Sequence, residues 1–307
     1  KIDMSFSFAI LLAMLGVCHS LTFTGDVERD FVNSTTDFVK LLIDGRISSI
    51  SGQVLADVGV PPAWPYPTSA APLSGWDMRD VRLSYDADSD TLYIGINCFV
   101  VCGDADGDGD PNRSSPELES RGGVDLANFG QSESFALAFD IGREGGGDLD
   151  GVMDFILGYP AEEPATSEPF GCGTNLDTAC FGLYRYDTAT SGQPGQRFTK
   201  RASDSVLPHQ ATQLSTVSRT APDIEWSISN FNELRRKFGV PAITSTDEWR
   251  MNILAFGGSF QDDGGGEDSF PNSGQFVTVV FPCSSLDACG VCGGDGLSCA
   301  DCAGTPN

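Results

Sequence analysis

Short apolar or alternating stretches recur along this chain between clusters of Gly, Pro, Asp and Asn, and that punctuation limits its fold more than any other feature. Alternation of apolar and polar residues marks a strand with one buried face, and the clusters between supply turns. Val81 to Tyr85 reads as a strand, 86–90 (DADSD) as a turn and Thr91 to Cys98 as the returning strand. Glu133 to Ile141 places Phe135, Leu137 and Phe139 on one face. Further strands are expected at Val152 to Tyr159, Phe181 to Tyr186, Ile224 to Ser229, Trp249 to Phe256 and Phe276 to Phe281. One helix is expected after Ser229, with Asn230 as its cap, Glu233 completing a capping-box-like pattern and Gly239-Val240-Pro241 ending it. With 36 Gly and 17 Pro in 307 residues, composition favours a turn-rich β protein over a helical bundle. The expectation is all-β: an antiparallel β-sandwich, jelly-roll or Ig-like, with long loops and one short helix over residues 21–282.

Phe6 to Val17 is the longest apolar run, at about a dozen residues against the roughly 20 that span a bilayer. It suits the apolar centre of a signal peptide over residues 1–20, with Met4 as the expected start and cleavage before Leu21. The chain is therefore expected outside the cell or at its surface, with no direct membrane insertion once the signal is removed. Export makes disulfides the expected state of its cysteines. Cys98, Cys102, Cys172 and Cys180 admit three pairings, among which the two local ones, Cys98–Cys102 and Cys172–Cys180, are favoured. Asn33-Ser34-Thr35 and Asn112-Arg113-Ser114 are glycosylation sequons, so Asn33 and Asn112 are candidate acceptors.

The chain carries 43 Asp and Glu against 18 Lys and Arg, a formal charge of −25. That balance excludes a cationic face for nucleic-acid phosphates and makes cations the natural partners. The acids concentrate in loops rich in glycine. In 104–111 (DADGDGDP), Asp104, Asp106 and Asp108 stand at positions 1, 3 and 5 of an EF-hand-like loop, with Gly109 at 6 and the carbonyl of Asp110 at 7. Alternate carboxylates can converge on one hard cation when glycines let the backbone curl. Position 12 is Ser115 rather than the bidentate Glu of an EF-hand, so the stretch resembles the half-loops of extracellular calcium modules such as thrombospondin type 3 repeats and dockerins. Ca2+ is the expected cofactor. Asp148 and Asp150, with Asp154 beyond, and Asp262, Asp263 and Glu267 are further candidate ligands, although Asp and Gly together are also ordinary turn chemistry.

The stretches GWDMRDVRLSYDADSDTLYIGIN, SESFALAFDI, DIEWSISNFNEL and EWRMNILAFGGSFQDDGGGED, in that order, resemble the family-9 carbohydrate-binding module and related DOMON-like sandwiches over roughly residues 76 to 270. The resemblance implies a sandwich that binds sugar ends between aromatic rings, or haem through Met or His ligands. His209 is the one histidine after the expected cleavage site, so haem is not expected. Trp64 and Tyr66, in a Pro-rich loop, and Trp76 are the carbohydrate candidates, whereas Trp226 and Trp249 sit in apolar strands and are expected in the core.

The tail, 287–302 (DACGVCGGDGLSCADC), resembles the CGVCGGDG-type cysteine-rich repeat of large extracellular proteins. This implies a disulfide-rich segment over 283–307, with Cys289, Cys292, Cys299 and Cys302 paired and the sequence stopping inside such an array. No nucleophile elbow, His-Glu-x-x-His or phosphate loop is present, so no enzyme activity is expected. The reading is a secreted, calcium-stabilised, non-catalytic matrix, surface or adhesion component whose partners are extracellular glycans or other surface and matrix proteins. The alternative is a carbohydrate-binding module of a larger surface protein or secreted enzyme.

Overall fold

The computed structural model describes residues 23–31, 38–42, 75, 78–104, 109–111, 113, 116, 133–142, 149–158, 181–185, 210–215, 217–243, 249–259, 268–270 and 277–281. Among them the chain is mostly strand, in two antiparallel sheets, with few helical residues. The first sheet has the order β1 (Phe38–Leu42), β2 (Met78–Asp86), β3 (Thr91–Cys98), β8 (Ile224–Ser229), β7 (Ala211–Gln213). The second runs β10 (Asp268–Phe270), β9 (Trp249–Ser259), β4 (Glu133–Asp140), β5 (Phe155–Gly158), β6 (Gly182–Arg185). β11 (Val277–Phe281) pairs with the first half of β9, on the side where β10 pairs with residues 255–257.

Alternation explains which residues face inward. On β4, Phe135, Leu137 and Phe139 are fully buried and join one apolar core with Leu83, Ile94, Trp226, Ile253 and other residues of both sheets. Ala136 and Ala138, on the other face, form a separate small cluster with Ile156 and Leu254. Trp226 and Trp249 are core residues as expected, and Trp249 stacks on Phe281 with centroids 4.0 Å apart. Met78 and Met251 are buried in the same core.

The hairpin of β2 and β3 turns at 87–90 as expected. Asp86 stabilises the turn by accepting from the Asp88 N–H at 2.9 Å and the Ser89 hydroxyl at 2.7 Å. Its charged form is what these donors favour, and its carboxyl lies below the usual range although burial opposes the shift.

Two helices are described. α1 (Val27–Asp30) starts at Asp26, whose side chain accepts from the Arg29 N–H. α2 (Phe231–Lys237) is the expected helix, but its cap is not Asn230. Asn230 takes a left-handed conformation, with φ 51° and ψ 47°, and its side chain makes no capping bond. Asp90, from the hairpin turn, takes that role by accepting from the Asn232 N–H at 3.0 and 3.1 Å. Its Oδ1 also accepts from the Tyr85 hydroxyl at 2.8 Å. The expected stop at Gly239 is found. Gly239 has φ +73°, its N–H donates to the Arg236 carbonyl, and the Val240 N–H donates to the Arg235 carbonyl, which together close a Schellman turn.

Candidate functional site

Of the pairings left open by sequence, Cys98–Cys102 forms, with Cα atoms 5.4 Å apart. Cys172, Cys180, Cys289, Cys292, Cys299 and Cys302 lie outside the described residues, as do Asn33, Asn112, Trp64, Tyr66 and Trp76. Among the acids, Asp106, Asp108, Asp148, Asp262, Asp263 and Glu267 also lie outside them. What is described is the start and end of the first acidic loop and most of two other carboxylate clusters.

Asp104 follows directly from the disulfide loop and is fully buried. Its backbone is tied down, because its carbonyl accepts from the Gly75 N–H at 2.6 Å and its N–H donates to the Val101 carbonyl at 3.0 Å. Asp104 Oδ2 accepts from the Gly109 N–H at 2.5 Å, which brings position 6 of the loop back onto position 1. The Gly109 carbonyl accepts from Arg219 Nε at 2.9 Å. Asp110 is half-buried, and its carbonyl, expected at position 7, accepts from the Arg113 N–H at 3.1 Å.

A second cluster stands where β4 leads toward β5. Asp140 is fully buried; it accepts from Asn252 Nδ2 at 2.7 Å, the Gly151 N–H at 2.9 Å and the Gly142 N–H at 3.0 Å. Thr278 on β11 orients Asn252 by donating to its Oδ1 at 2.7 Å. Burial pushes the Asp140 carboxyl up, and these three donors oppose it. Asp154 accepts from the Ile141 N–H at 2.8 Å; burial, with Asp140 and Asp150 nearby, pushes its carboxyl up to about 6. Asp150 is exposed and accepts from the Val152 N–H at 3.0 Å, an ordinary Asx turn. The loop therefore brings Asp140, Asp150 and Asp154 near each other, and Asp140 was not among the candidates read from sequence.

The third cluster was not found from sequence at all. Asp80, Asp223 and Glu225 are buried on the first sheet beneath residues 23–31, with Asp30 at its margin. Asp80 is paired with Arg82 Nε at 2.8 Å and accepts from Asn97 Nδ2 at 3.0 Å. Asp223 accepts from the Val27 N–H at 2.8 Å and the Cys98 N–H at 3.2 Å. Burial, with Asp26 and Asp80 nearby, still pushes its carboxyl up to about 7. Glu225 Oε2 accepts from the Gly25 N–H at 2.7 Å, whereas its buried Oε1 has no donor partner. Burial first, then the facing Asp30 carboxyl, pushes Glu225 up to about 8. Asp30 accepts from the backbone and the hydroxyl of Thr24.

Among the described residues, no group of three or more His, Cys, Asp or Glu side chains is arranged to hold a metal ion. None of their helices is long and apolar enough to cross a membrane. Compared with protein-family models, curated proteins and solved structures, the chain matches none.

Proposed function

We propose that this chain is a secreted, non-catalytic surface or matrix component, built on a β-sandwich of the jelly-roll or Ig-like kind and stabilised by calcium in the 104–110 loop. The observation that carries the reading is the hydrogen bond from the Gly109 N–H to the buried Asp104 carboxylate. It ties the start of the loop, Asp104, to Gly109, and the alternate acids Asp106 and Asp108 stand between the two in the sequence, the spacing from which carboxylates can converge on one hard cation. The non-catalytic part is supported by the use made of the buried acids. Asp104, Asp140 and Asp223 each accept from backbone N–H groups, which ties them to loop and segment structure.

Thermal unfolding of the full chain with saturating calcium, against the same protein in excess chelator, tests the proposal. Calcium raises the midpoint by roughly 5–10 °C if the ion is present at about 100 times its dissociation constant. The increment disappears in Asp106→Ala. Identical midpoints with calcium and with chelator would sink the calcium reading.

A further inference from the structure

Residues 23–31 lie across the first sheet on the side away from its core. The strand register fixes this: Gly95 alternates with the core residues Ile94 and Ile96 and is paired with Arg82 on β2 and Glu225 on β8. The space over Gly95 is filled by α1, and a methyl group there would come within 2.7 Å of Phe31 Cε2 and 2.8 Å of Val27 Cγ2. The Phe23 ring packs on Tyr93 with centroids 5.0 Å apart. Polar contacts complete the docking. Gly25 and Val27 donate to Glu225 and Asp223, the Asp223 N–H donates to the Gly25 carbonyl at 2.8 Å, and Arg82 Nη1 donates to the Val27 carbonyl at 3.3 Å.

This docked segment brings its own acids onto acids of the sheet. Asp26, Glu28 and Asp30 come with it, with Arg29 as its cation, and Asp80 on β2, Glu225 on β8 and Asp223 just before β8 face it. Among the described residues no cation is paired with Glu225. Arg82 gives Nε and Nη2 to Asp80 and Nη1 to Val27, while Arg79 pairs with Glu28 at 2.8 Å. β3 contributes Tyr93 and Asn97, and Asn97 donates to Asp80. β1 places Lys40 at the register position opposite Arg82. Among the described residues the buried Glu225 Oε1 atom has no donor, and the Asp30 carboxyl is the neighbouring acid that acts on it, so a proton on Glu225 would relieve both.

We propose that residues 23–31 form a pH-operated latch, shut while Glu225 donates a proton to Asp30 and loosened when the two face each other as carboxylates. The burial of Glu225 and its value of about 8 place the transition between the ordinary carboxylate range and mildly alkaline pH. Since the folded value is raised, the stability of the shut form is complete below the unfolded value and is lost as the pH climbs through the folded one. Loosening uncovers Gly95 and its polar neighbours Arg82 and Asn97. The latch does not depend on the calcium reading, and its test is run with chelator present.

Amide hydrogen exchange on the full chain, corrected for the intrinsic base catalysis of exchange, reads the latch directly. Between about pH 6 and about pH 9, protection at Gly25, Val27 and Phe31 falls by about tenfold or more, as a one-unit displacement of a single proton equilibrium requires. Protection of the Ile94 and Ile228 amides, in the core of the sheet, falls much less. Glu225→Gln keeps a neutral donor facing Asp30 and removes the greater part of the loss, leaving only what Asp223 contributes through the Val27 N–H, and Asp30→Asn does the same should the Gln variant fold poorly. The proposal is overturned by protection over 23–31 that does not change with pH. It is overturned equally by a parallel loss across β3 and β8, or by the same pH dependence in both variants.

Discussion

Asp140 and Glu225 are both fully buried carboxylates on strands of antiparallel sheets, one in each sheet, yet they meet the cost of burial differently. Asp140 accepts three hydrogen bonds, from Asn252, Gly151 and Gly142. Glu225 accepts one from a backbone N–H and turns its other oxygen toward a second carboxyl group. Both are pushed up by desolvation, but only Glu225 is pushed as far as about 8. Burial alone does not decide whether a carboxyl group stays charged. The supply of donors does, and a loop can supply them while a strand whose amides are committed to its ladder cannot.

The largest test of that comparison is Asp140→Ala. It leaves the Asn252 amide and two backbone N–H groups without their acceptor, and should cost about 3 kcal/mol by denaturant unfolding with an unchanged slope. Glu225→Gln, measured near pH 8, should cost less than about 1 kcal/mol, because it removes a penalty along with a hydrogen bond. Equal costs for the two would break the comparison. The next effect is the pH dependence of global stability. Asp154, Asp223 and Glu225 all have folded values above their unfolded ones, so stability is complete below about pH 4 for these groups and falls as the pH rises to about 8. Unfolding measured from about pH 5 to about pH 8 should show a loss of several kcal/mol, and Glu225→Gln should remove the part above about pH 7. A stability that rises over this interval would contradict the donor argument for all three. The smallest effect concerns Asp90, a carboxylate satisfied in the manner of Asp140. Both residues take left-handed backbone, so glycine isolates the side chain: Asp90→Gly should cost about 1 kcal/mol through loss of the cap, whereas Asn230→Gly should stay within about 0.5 kcal/mol, both read from unfolding midpoints.

The strands that alternate clearly were legible in the sequence. Thr91–Cys98 and Ile224–Ser229 are found at the expected limits, and Glu133–Asp140 to within one residue of them. β7 and β10 were not read, because Ala-Thr-Gln and Asp-Ser-Phe have no periodicity and owe their extended form to pairing with β8 and β9. Phe38–Leu42 is an apolar run that was passed over. α1 is four residues long, too short for a helical period to show, and only the N-cap at Asp26 marks it. The start of the 104–110 loop was legible as an acid-and-glycine motif. The Glu225 cluster was not, because in IEWSIS the alternation puts Glu225 on the face away from the core, where a carboxylate ordinarily meets water. Only the docking of a segment two hundred residues earlier makes that face an interior. Asp90 was missed as a cap for the same reason, since its helix lies 142 residues further on.

The order of strands in the sheets also sets when this protein can fold. β3 lies between β2, its neighbour in the chain, and β8, with Thr91 opposite Ser229. β4, β5 and β6 of the other sheet are therefore synthesised while β3 still offers an open edge, the template on which chains pair wrongly with one another. The second sheet in turn waits for β9, which joins β4 to β10 and β11. Neither sheet can be finished before the other has begun, and such interleaving of distant strands belongs to slow-folding topologies. A nascent chain released before Ile224 would present the β8 edge of β3 unpaired, which makes the period before β8 emerges the one in which this protein is most exposed to aggregation.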